Sequence, residues 1–260
     1  MKIILSKLSL IVFIFLFLYS NNCISQQILP YKLGENFSYN ISFAGIKVGD
    51  ASLIIDSIIN IDDKSCFHII GAGKTTPFFD FFFKVRDTYE TFLDTSSILP
   101  VKFKRDISEG GFKKKQLYDF NHTDSFVYSE DTLYKIHNFS QDMLSALFFA
   151  RTFNGNDLKI DDKFIIPIFM DEENYFLEIK YLQKDTLKTD FGDVECLVFK
   201  PLMQEGRVFE NGERMKVWIT NDQNHILLKV ETQIWAGKIE AELVNYFSIR
   251  YPLKSIPSKE

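Results

Sequence analysis

Alternation of apolar and polar side chains is the feature that most constrains the fold of this chain. Between residues 37 and 43 every second side chain is aromatic or aliphatic, with Ser or Asn between them, and residues 239–243 alternate with Lys and Glu in the same way. Period two is the repeat of a half-buried β-strand, because successive side chains point to opposite faces. Strand-like runs also occur at 48–59, 64–73, 85–94, 98–107, 111–120, 163–169, 174–186, 193–200, 213–220 and 226–235. Turn-forming pairs such as Gly110-Gly111 separate them, so the sequence predicts an all-β, antiparallel fold.

One segment in the middle of the chain breaks the alternation. Residues 143–151 read Met-Leu-Ser-Ala-Leu-Phe-Phe-Ala-Arg and are apolar on several faces. Ser140 suits an N-cap, Asp142 the first turn of a helix and Arg151 the last turn. We therefore expect one largely buried central helix at about 140–153.

The chain also resembles itself at a separation of about 127 residues. The matched positions are Phe37 with Phe164, Leu99–Lys102 with Ile226–Lys229, Gly110 with Gly237, and Phe120 with Phe247. One offset serves several strands and a turn glycine, which favours an internal duplication. We expect a single β-rich domain over 26–260, built from two repeats at about 33–120 and 160–247 that form two related, curved, half-barrel-like antiparallel sheets joined by the helix.

Residues 1–25 have the pattern of a secretory signal peptide. Two lysines precede the apolar run Leu8–Leu18, which is too short to cross a bilayer of roughly 30 Å as a helix. Cleavage between Ser25 and Gln26 would place the mature protein in the periplasm or outside the cell. An outer-membrane lipoprotein acylated at Cys23 is the alternative. No later stretch is apolar enough to predict a transmembrane segment in the mature chain.

The charge and the cysteines limit the partners and the covalent framework. The formal net charge is −5, and removing Lys2 and Lys7 with the signal peptide makes it −7. Bulk electrostatics therefore disfavour nucleic acid and anionic lipid headgroups. Cys66 and Cys196 remain, both in apolar strand-like runs. An oxidising compartment permits a disulfide between them, and two buried free thiols are the other interpretation.

No motif in the sequence indicates catalysis, a metal or a cofactor. Gly71-Ala-Gly-Lys-Thr75 ends like a phosphate-binding loop, but His68 stands where the first glycine is needed and Pro77 follows instead of a helix. The four histidines lack the spacing of metal ligands within one element, and no Gly-x-Ser-x-Gly nucleophile pattern occurs. We therefore predict a protein that is not an enzyme and holds no metal or cofactor.

Five phenylalanines in six positions, at 78–83, exceed what a plain core requires. Neither a strand nor a helix can turn all of them inward, so some must meet a partner or solvent. One interpretation is an aromatic flap over a hydrophobic cavity, or a patch that meets lipid or protein. The other is a helix tucked under the sheet and anchored by Lys84, Arg86 and Asp87.

Several charges stand in apolar surroundings, and buried charges persist only when they are paired. These charges are Arg86, Asp87, Asp142, Arg151 and Arg207. A salt-bridge network that braces the helix against the sheet is one interpretation, and a polar handle for an amphiphile's headgroup is the other. The candidate ligand-binding residues are Phe78, Phe79, Phe82, Phe83, Arg86, Asp87, Arg151, Arg207 and Trp218.

Three strings of the sequence carry a family resemblance over nearly the whole mature chain: Thr76–Glu90, the helix Gln141–Arg151, and Gly206–Phe209. They resemble an exported bacterial family known as domain of unknown function 3108. The stretches 92–103 and 218–231 also resemble the aromatic-strand, turn, Leu-Pro strand signature of half-barrel periplasmic lipoprotein carriers, although Leu227 stands where that signature has proline. Neither resemblance implies an assigned activity.

Together these features predict an exported, non-catalytic protein that binds or carries a lipid-like or otherwise hydrophobic small molecule in the cell envelope. The alternative is an envelope structural or assembly factor that grips a protein partner through its aromatic segment, with peripheral membrane contact possible in either case. The identity of the ligand and the oligomeric state are left open by the sequence.

Overall fold

The computed structural model of the protein describes residues 28–153, 155, 157–203, 215–235 and 237–256. The predicted signal peptide at 1–25, Cys23 within it, and Arg207 lie outside the described residues.

Strands dominate the described chain, and two short helices interrupt them. In chain order the elements are β1 (Asn36–Phe43), β2 (Ile46–Ile61), β3 (Lys64–Thr75), α1 (Pro77–Asp80), β4 (Arg86–Asp94), β5 (Pro100–Glu109), β6 (Phe112–Asn121), β7 (Phe126–Ser129), β8 (Thr132–Lys135), α2 (Ser145–Arg151), β9 (Lys163–Met170), β10 (Glu173–Thr189), β11 (Gly192–Met203), β12 (Met215–Thr220), β13 (Leu227–Ile234), β14 (Gly237–Phe247) and β15 (Ser255–Ile256). The predicted all-β class with a central helix is confirmed.

The strands form one continuous curved sheet instead of the two sheets expected from the sequence. Its order is β8-β7-β6-β5-β4-β3-β2-β1-β14-β13-β12-β11-β10-β9, and β15 pairs with β11. Strands β1–β8 and β9–β14 are two antiparallel meanders that join where β1 pairs with β14. The two meanders therefore share one surface, because this pairing satisfies the edge that each would otherwise expose.

Strand lengths follow a similar sequence in the two meanders. β1, β2 and β3 have 8, 16 and 12 residues, and β9, β10 and β11 have 8, 17 and 12. These strands lie at the predicted separation of about 127 residues, since Asn36 opens β1 and Lys163 opens β9. The duplication itself stays a prediction.

Antiparallel pairing defines two ends of the sheet around the β1–β14 junction. We call the end that carries the β1–β2 turn the upper end; it also carries the β3–β4, β5–β6, β7–β8, β9–β10 and β13–β14 connections. The lower end carries the β2–β3, β4–β5, β6–β7, β10–β11 and β12–β13 connections.

The sheet rolls until its outer strands contact each other through side chains. Phe169 of β9 packs against Tyr118 of β6, with 5.1 Å between ring centroids. Asp171, in the β9–β10 turn, forms ion pairs with Arg105 of β5 and Lys114 of β6. Hydrogen bonds do not close the sheet into a barrel, since β8 and β9 remain its edges. The rolled sheet thus encloses an inner face that the central segment must cover.

The helix α2 covers part of that inner face and is shorter than predicted. It begins at Ser145 instead of near Met143, and Ser140 is not its cap. Asp142 takes the capping role: its Oδ1 accepts hydrogen bonds from the N–H groups of Leu144 and Ser145, and its Oδ2 accepts one from the Thr91 hydroxyl. A carboxylate suits this position because it satisfies amides that have no partner within the helix.

A buried ion pair fixes the other end of α2. Arg151 Nη1 lies 2.5 Å from Glu35 Oε1, and neither side chain is more than 3% exposed. Nε and Nη2 of Arg151 also donate to the carbonyl of Asn224, at 3.1 and 3.0 Å. The rings of Tyr31 and Phe148 lie 5.2 and 5.4 Å from the guanidinium. The predicted bracing of the helix against the sheet therefore rests on Arg151 and Asp142.

We expect Arg151→Met to destabilise the protein by about 3–5 kcal/mol, because it leaves the Glu35 carboxylate buried without a counter-charge. Burial already raises the pKa of Glu35, with the Arg151 charge opposing that rise. Urea unfolding measures the change in the free energy of unfolding.

The double variant Glu35→Gln with Arg151→Met should recover part of that loss. Lys115→Met is the matched control, since the Lys115–Asp106 pair is 81% and 58% exposed and should contribute less than about 1 kcal/mol. Equal losses for Arg151→Met and Lys115→Met would contradict the bracing role.

Candidate functional site

An apolar cavity of about 260 Å³ lies between α2 and the strands β9–β12. Its lining is almost wholly hydrocarbon and thioether, with one charged residue, Arg151, among fourteen. The lining residues are Met143, Ala146, Leu147, Ala150, Arg151, Phe153, Ile168, Met170, Leu177, Ile179, Phe199, Pro201, Val217 and Ile219. A space of this composition favours an apolar guest over water, which needs polar partners.

Strand alternation brings the sheet side of the cavity together. Each of β9–β12 contributes two residues separated by one, as Val217 and Ile219 do in β12. Ile179 is paired across the sheet with Pro201, and Phe199 with Val217, so these side chains share one face. The strands thus present one continuous apolar surface to α2.

The helix side of the cavity is open because two of its residues are small. Ala146 and Ala150 are one helical turn apart and therefore lie on the same face of α2. In contrast, Phe148 is fully buried in the main core together with Tyr31 and Phe37. The helix thus fills the space against the first meander and leaves space against the second.

Arg151 borders the cavity but its guanidinium is already bonded. Each of its three nitrogens donates to the carboxylate of Glu35 or the carbonyl of Asn224. Arg151 also borders a more polar depression of about 450 Å³ that includes Asn221, Asp222 and His225. The predicted role of Arg151 as a headgroup handle is therefore not what the geometry favours.

The phenylalanine segment lies at the upper end of the sheet and does not line the apolar cavity. Phe79 is half-buried, whereas Phe78, Phe81, Phe82 and Phe83 are exposed. The structure thus contradicts a helix tucked under the sheet. The segment forms an exposed aromatic surface, because α1 ends after four residues and its rings project from the loop that follows.

Arg86 and Asp87 anchor this loop instead of α2. Arg86 Nη1 and Nη2 donate to the Asp80 carboxylate at 3.0 and 2.5 Å, which holds the pKa of Asp80 below its usual range. Asp87 accepts a hydrogen bond from the Ser108 N–H of β5 at 3.0 Å. Both residues border an open depression of about 740 Å³ across β1–β5.

Trp218 lies on the face of β12 opposite the cavity. Its neighbours Val217 and Ile219 line the cavity, and successive strand residues point to opposite faces. Its indole N–H donates to Asp185 at 2.9 Å, and the Lys229 ammonium lies 5.7 Å from its ring. The structure therefore does not bring Trp218 together with the cavity residues, and Arg207 is not described.

The cavity-lining residues of β9–β12 were not among the sequence-derived candidates. Ile, Leu, Val and Met at alternate strand positions are equally suited to a solid core, so their type carries no signal for a void. The one usable signal was the pair Ala146 and Ala150 on a helix that is otherwise rich in large side chains.

The cysteines are free thiols in separate places. Cys66 packs with Phe92 and Val101, whereas Cys196 belongs to the main core. Burial raises the pKa of each thiol to about 11, which keeps both protonated at neutral pH. Among the residues described, no group of His, Cys, Asp and Glu could hold a metal ion. Across the same residues, no helix has the length and hydrophobicity to cross a membrane.

Burial raises the pKa of the capping carboxyl of Asp142 to about 6, although three hydrogen bonds favour its charged form. A carboxyl whose pKa is raised on folding takes up a proton in the folded state first. Its contribution to stability is therefore greatest below its unfolded pKa and is lost as pH rises through about 6.

We expect the free energy of unfolding of the native protein to gain about 1 kcal/mol relative to Asp142→Asn when the pH falls from 7 to 5. The amide keeps an oxygen for the two N–H groups and does not titrate. Urea unfolding of both proteins at each pH measures the difference, and parallel pH profiles would contradict the assignment.

Comparison with known proteins supports the family resemblance seen in the sequence. The model of the family described as "Protein of unknown function (DUF3108)" matches residues 38–244, which confirms that resemblance. No curated protein matches the chain.

Solved structures resemble the chain at low sequence identity. A β-barrel-like protein of domain of unknown function DUF1849 from Brucella abortus is 8% identical, with a TM-score of 0.55 over 86% of this chain and 100% of the other. A presumed exported protein with a YmcC-like fold from Bacteroides fragilis is 10% identical, with a TM-score of 0.35 over 85% and 99% of the two chains. A presumed lipoprotein from Parabacteroides distasonis is 10% identical, with a TM-score of 0.37 over 84% and 97%. The first of these supports the fold alone.

Proposed function

We propose that this chain, which belongs to the DUF3108 family of proteins of unknown function, binds a hydrophobic, lipid-like molecule in the apolar cavity between α2 and β9–β12. The observation that carries the proposal is the cavity itself: about 260 Å³ with thirteen apolar residues among fourteen. Covering such a surface with an apolar guest removes it from water and is favourable by roughly 25 cal/mol per Å².

The size of the cavity favours one class of guest. Small-molecule pockets have volumes of about 300–1,000 Å³, and this one lies near the lower limit at about 260 Å³. A single acyl chain or a compact apolar group fits such a space better than a whole diacyl lipid does. We therefore expect a fatty acid or a singly acylated molecule.

The electrostatics favour one orientation of the guest. The guanidinium of Arg151 stands at one side of the cavity with its nitrogens bonded to Glu35 and Asn224. A carboxylate or phosphate placed there would have to compete with an existing buried ion pair. The polar group of an amphiphile is therefore expected at the opposite side, with its chain against Ala146 and Ala150.

The proposed activity is binding or carriage in the cell envelope, without catalysis. No lining residue of the cavity is a nucleophile or a general base, since the set consists of apolar residues and Arg151. The envelope location rests on the signal-peptide pattern of residues 1–25.

We expect Val217→Phe to weaken binding of cis-parinaric acid, a fluorescent fatty acid, by about tenfold or more. The larger side chain enters the cavity and displaces apolar contact area of the guest, and a loss of about 1.4 kcal/mol is tenfold in affinity. Fluorescence titration of the delipidated protein measures the dissociation constant.

Ile165→Phe is the matched control, because it adds similar bulk to β9 at a side chain that is exposed outside the cavity. Thermal unfolding checks that both variants fold. Equal affinities for the two variants, or a native protein that binds no probe and releases no apolar molecule into organic solvent, would contradict the proposal.

A further inference from the structure

Large apolar side chains are exposed along the upper end of the sheet. Phe81 is 88% exposed and Trp235 is 94% exposed, whereas most large apolar residues of the strands are at least partly buried. Those in or beside the β1–β2, β3–β4, β5–β6 and β13–β14 connections are Ile46, Phe78, Phe81, Phe82, Phe83, Phe112 and Trp235. We call these seven residues the aromatic rim.

The aromatic rim is continuous, because hydrogen bonds and side-chain contacts join its neighbouring turns. The Ala44 N–H donates to the Lys238 carbonyl, which links the β1–β2 turn to the β13–β14 turn. The Thr76 N–H donates to Val48, which links the phenylalanine loop to β2. The Gly110 N–H donates to Lys84, which links that loop to the β5–β6 turn. The connections that carry the exposed side chains are therefore neighbours in space.

The loop that carries most of the rim is held in place. Asp80 is bonded to Arg86 and also accepts a hydrogen bond from the Thr75 hydroxyl at 2.5 Å. The ring of Phe83 packs directly against Gly110 and leaves no room for a β-carbon there. The rings are thus exposed on a loop that is anchored. Their exposure to water costs free energy, which a covering partner would remove.

Two exposed lysines lie beside the aromatic rim. Lys84 and Lys113 flank the rim, are exposed, and form no salt bridge with any described residue. The lower-end turns instead carry exposed carboxylates at Asp62, Asp63, Asp124 and Asp190. The upper end also has exposed carboxylates on its outer strands, at Glu130 and Asp131 in the β7–β8 turn and at Glu173 of β10. Lys84 and Lys113 therefore supply unpaired positive charge beside the rim.

We propose that the aromatic rim docks on the surface of a lipid bilayer, with its Phe and Trp side chains inserted at the level of the headgroups. Projecting loop tips need no complementary protein shape to bury their rings in this layer, where aromatic residues and lysines are favoured. Anionic headgroups attract Lys84 and Lys113, which favours an orientation with the rim toward the bilayer. The docking does not depend on a guest in the apolar cavity.

Vesicle flotation tests the docking. The protein without its signal peptide should float with vesicles of phosphatidylcholine containing phosphatidylglycerol, and more weakly with phosphatidylcholine alone. Phe81→Ser with Phe82→Ser should lower the partition coefficient by about tenfold or more, because two rings no longer leave water. Phe247→Ser should leave it unchanged: Phe247 is 71% exposed but ends β14 at the lower end.

The two tryptophans provide a second, independent readout. The chain has 2 Trp, and Trp218 is 8% exposed with its indole bonded to Asp185, whereas Trp235 lies in the rim. Vesicles should shift the emission to shorter wavelength, and brominated lipids should quench it. In Trp235→Phe the shift and the quenching should disappear, while flotation persists because phenylalanine also inserts.

Three results would overturn the proposal: no flotation of the native protein, equal loss for the upper-end and lower-end variants, or quenching that persists in Trp235→Phe. A dimer in light scattering that the double Phe→Ser variant abolishes, without any vesicle binding, would assign the rim to a second copy of the chain instead. Val217→Phe should float like the native protein, so failure of the cavity proposal and failure of the docking are distinguishable.

Discussion

The pairing of β1 with β14 is the interaction on which the rest of the structure depends. It joins strands about 200 residues apart, with Phe37 opposite Tyr246, and converts two meanders into one sheet. A sheet of this size twists and curls, so its inner face surrounds a volume that must be filled. The described chain supplies the seven-residue helix α2 and its flanking segment for this purpose. The cavity follows from that mismatch between the inner face and what covers it.

The distribution of large and small side chains determines which part of the inner face α2 leaves unfilled. Tyr31 and Phe148 meet edge to face at 5.1 Å between centroids and fill the space beside β1–β4. On the other side of α2, Ala146 packs in one cluster with Ile168 and Met170 of β9, and the small side chains of Ala146 and Ala150 leave a space toward β10–β12. The ends of the helix are fixed by Arg151 with Glu35 and by Asp142 with Thr91. Because those anchors limit how far α2 can shift toward β9–β12, the space is not lost by collapse.

Much of the fold was predictable because strands have a local signature. The alternating run at 64–73 became β3, Lys64–Thr75, and the run at 111–120 became β6, Phe112–Asn121. Strands β7 and β8 were missed because four residues are too few to establish a period. The single sheet was missed as well, since nothing local in β1 indicates that its partner is β14.

The site was less predictable, because alternation separates two faces without saying which one is inner. In β12 both faces are apolar: Val217 and Ile219 face the cavity, and Trp218 faces away to Asp185. The sequence pointed to Trp218, the largest side chain of β12, whereas its smaller neighbours Val217 and Ile219 line the cavity. For the phenylalanines the physical argument was sufficient, since six successive positions cannot all be buried. Their segment is accordingly exposed at four of its five rings.

The positions of the apolar cavity and the aromatic rim are related, although each proposal stands without the other. The cavity residues of β9, β10 and β11, such as Met170, Leu177 and Pro201, lie in the halves of those strands nearest the upper end. Arg151, with its bonded guanidinium, approaches Asn224 in the β12–β13 turn at the lower end. If the polar group of the guest lies away from Arg151, that polar group points toward the upper end, where the aromatic rim lies. In a molecule docked by that rim, an acyl chain would enter the cavity from the membrane side, with its polar group remaining near the headgroups.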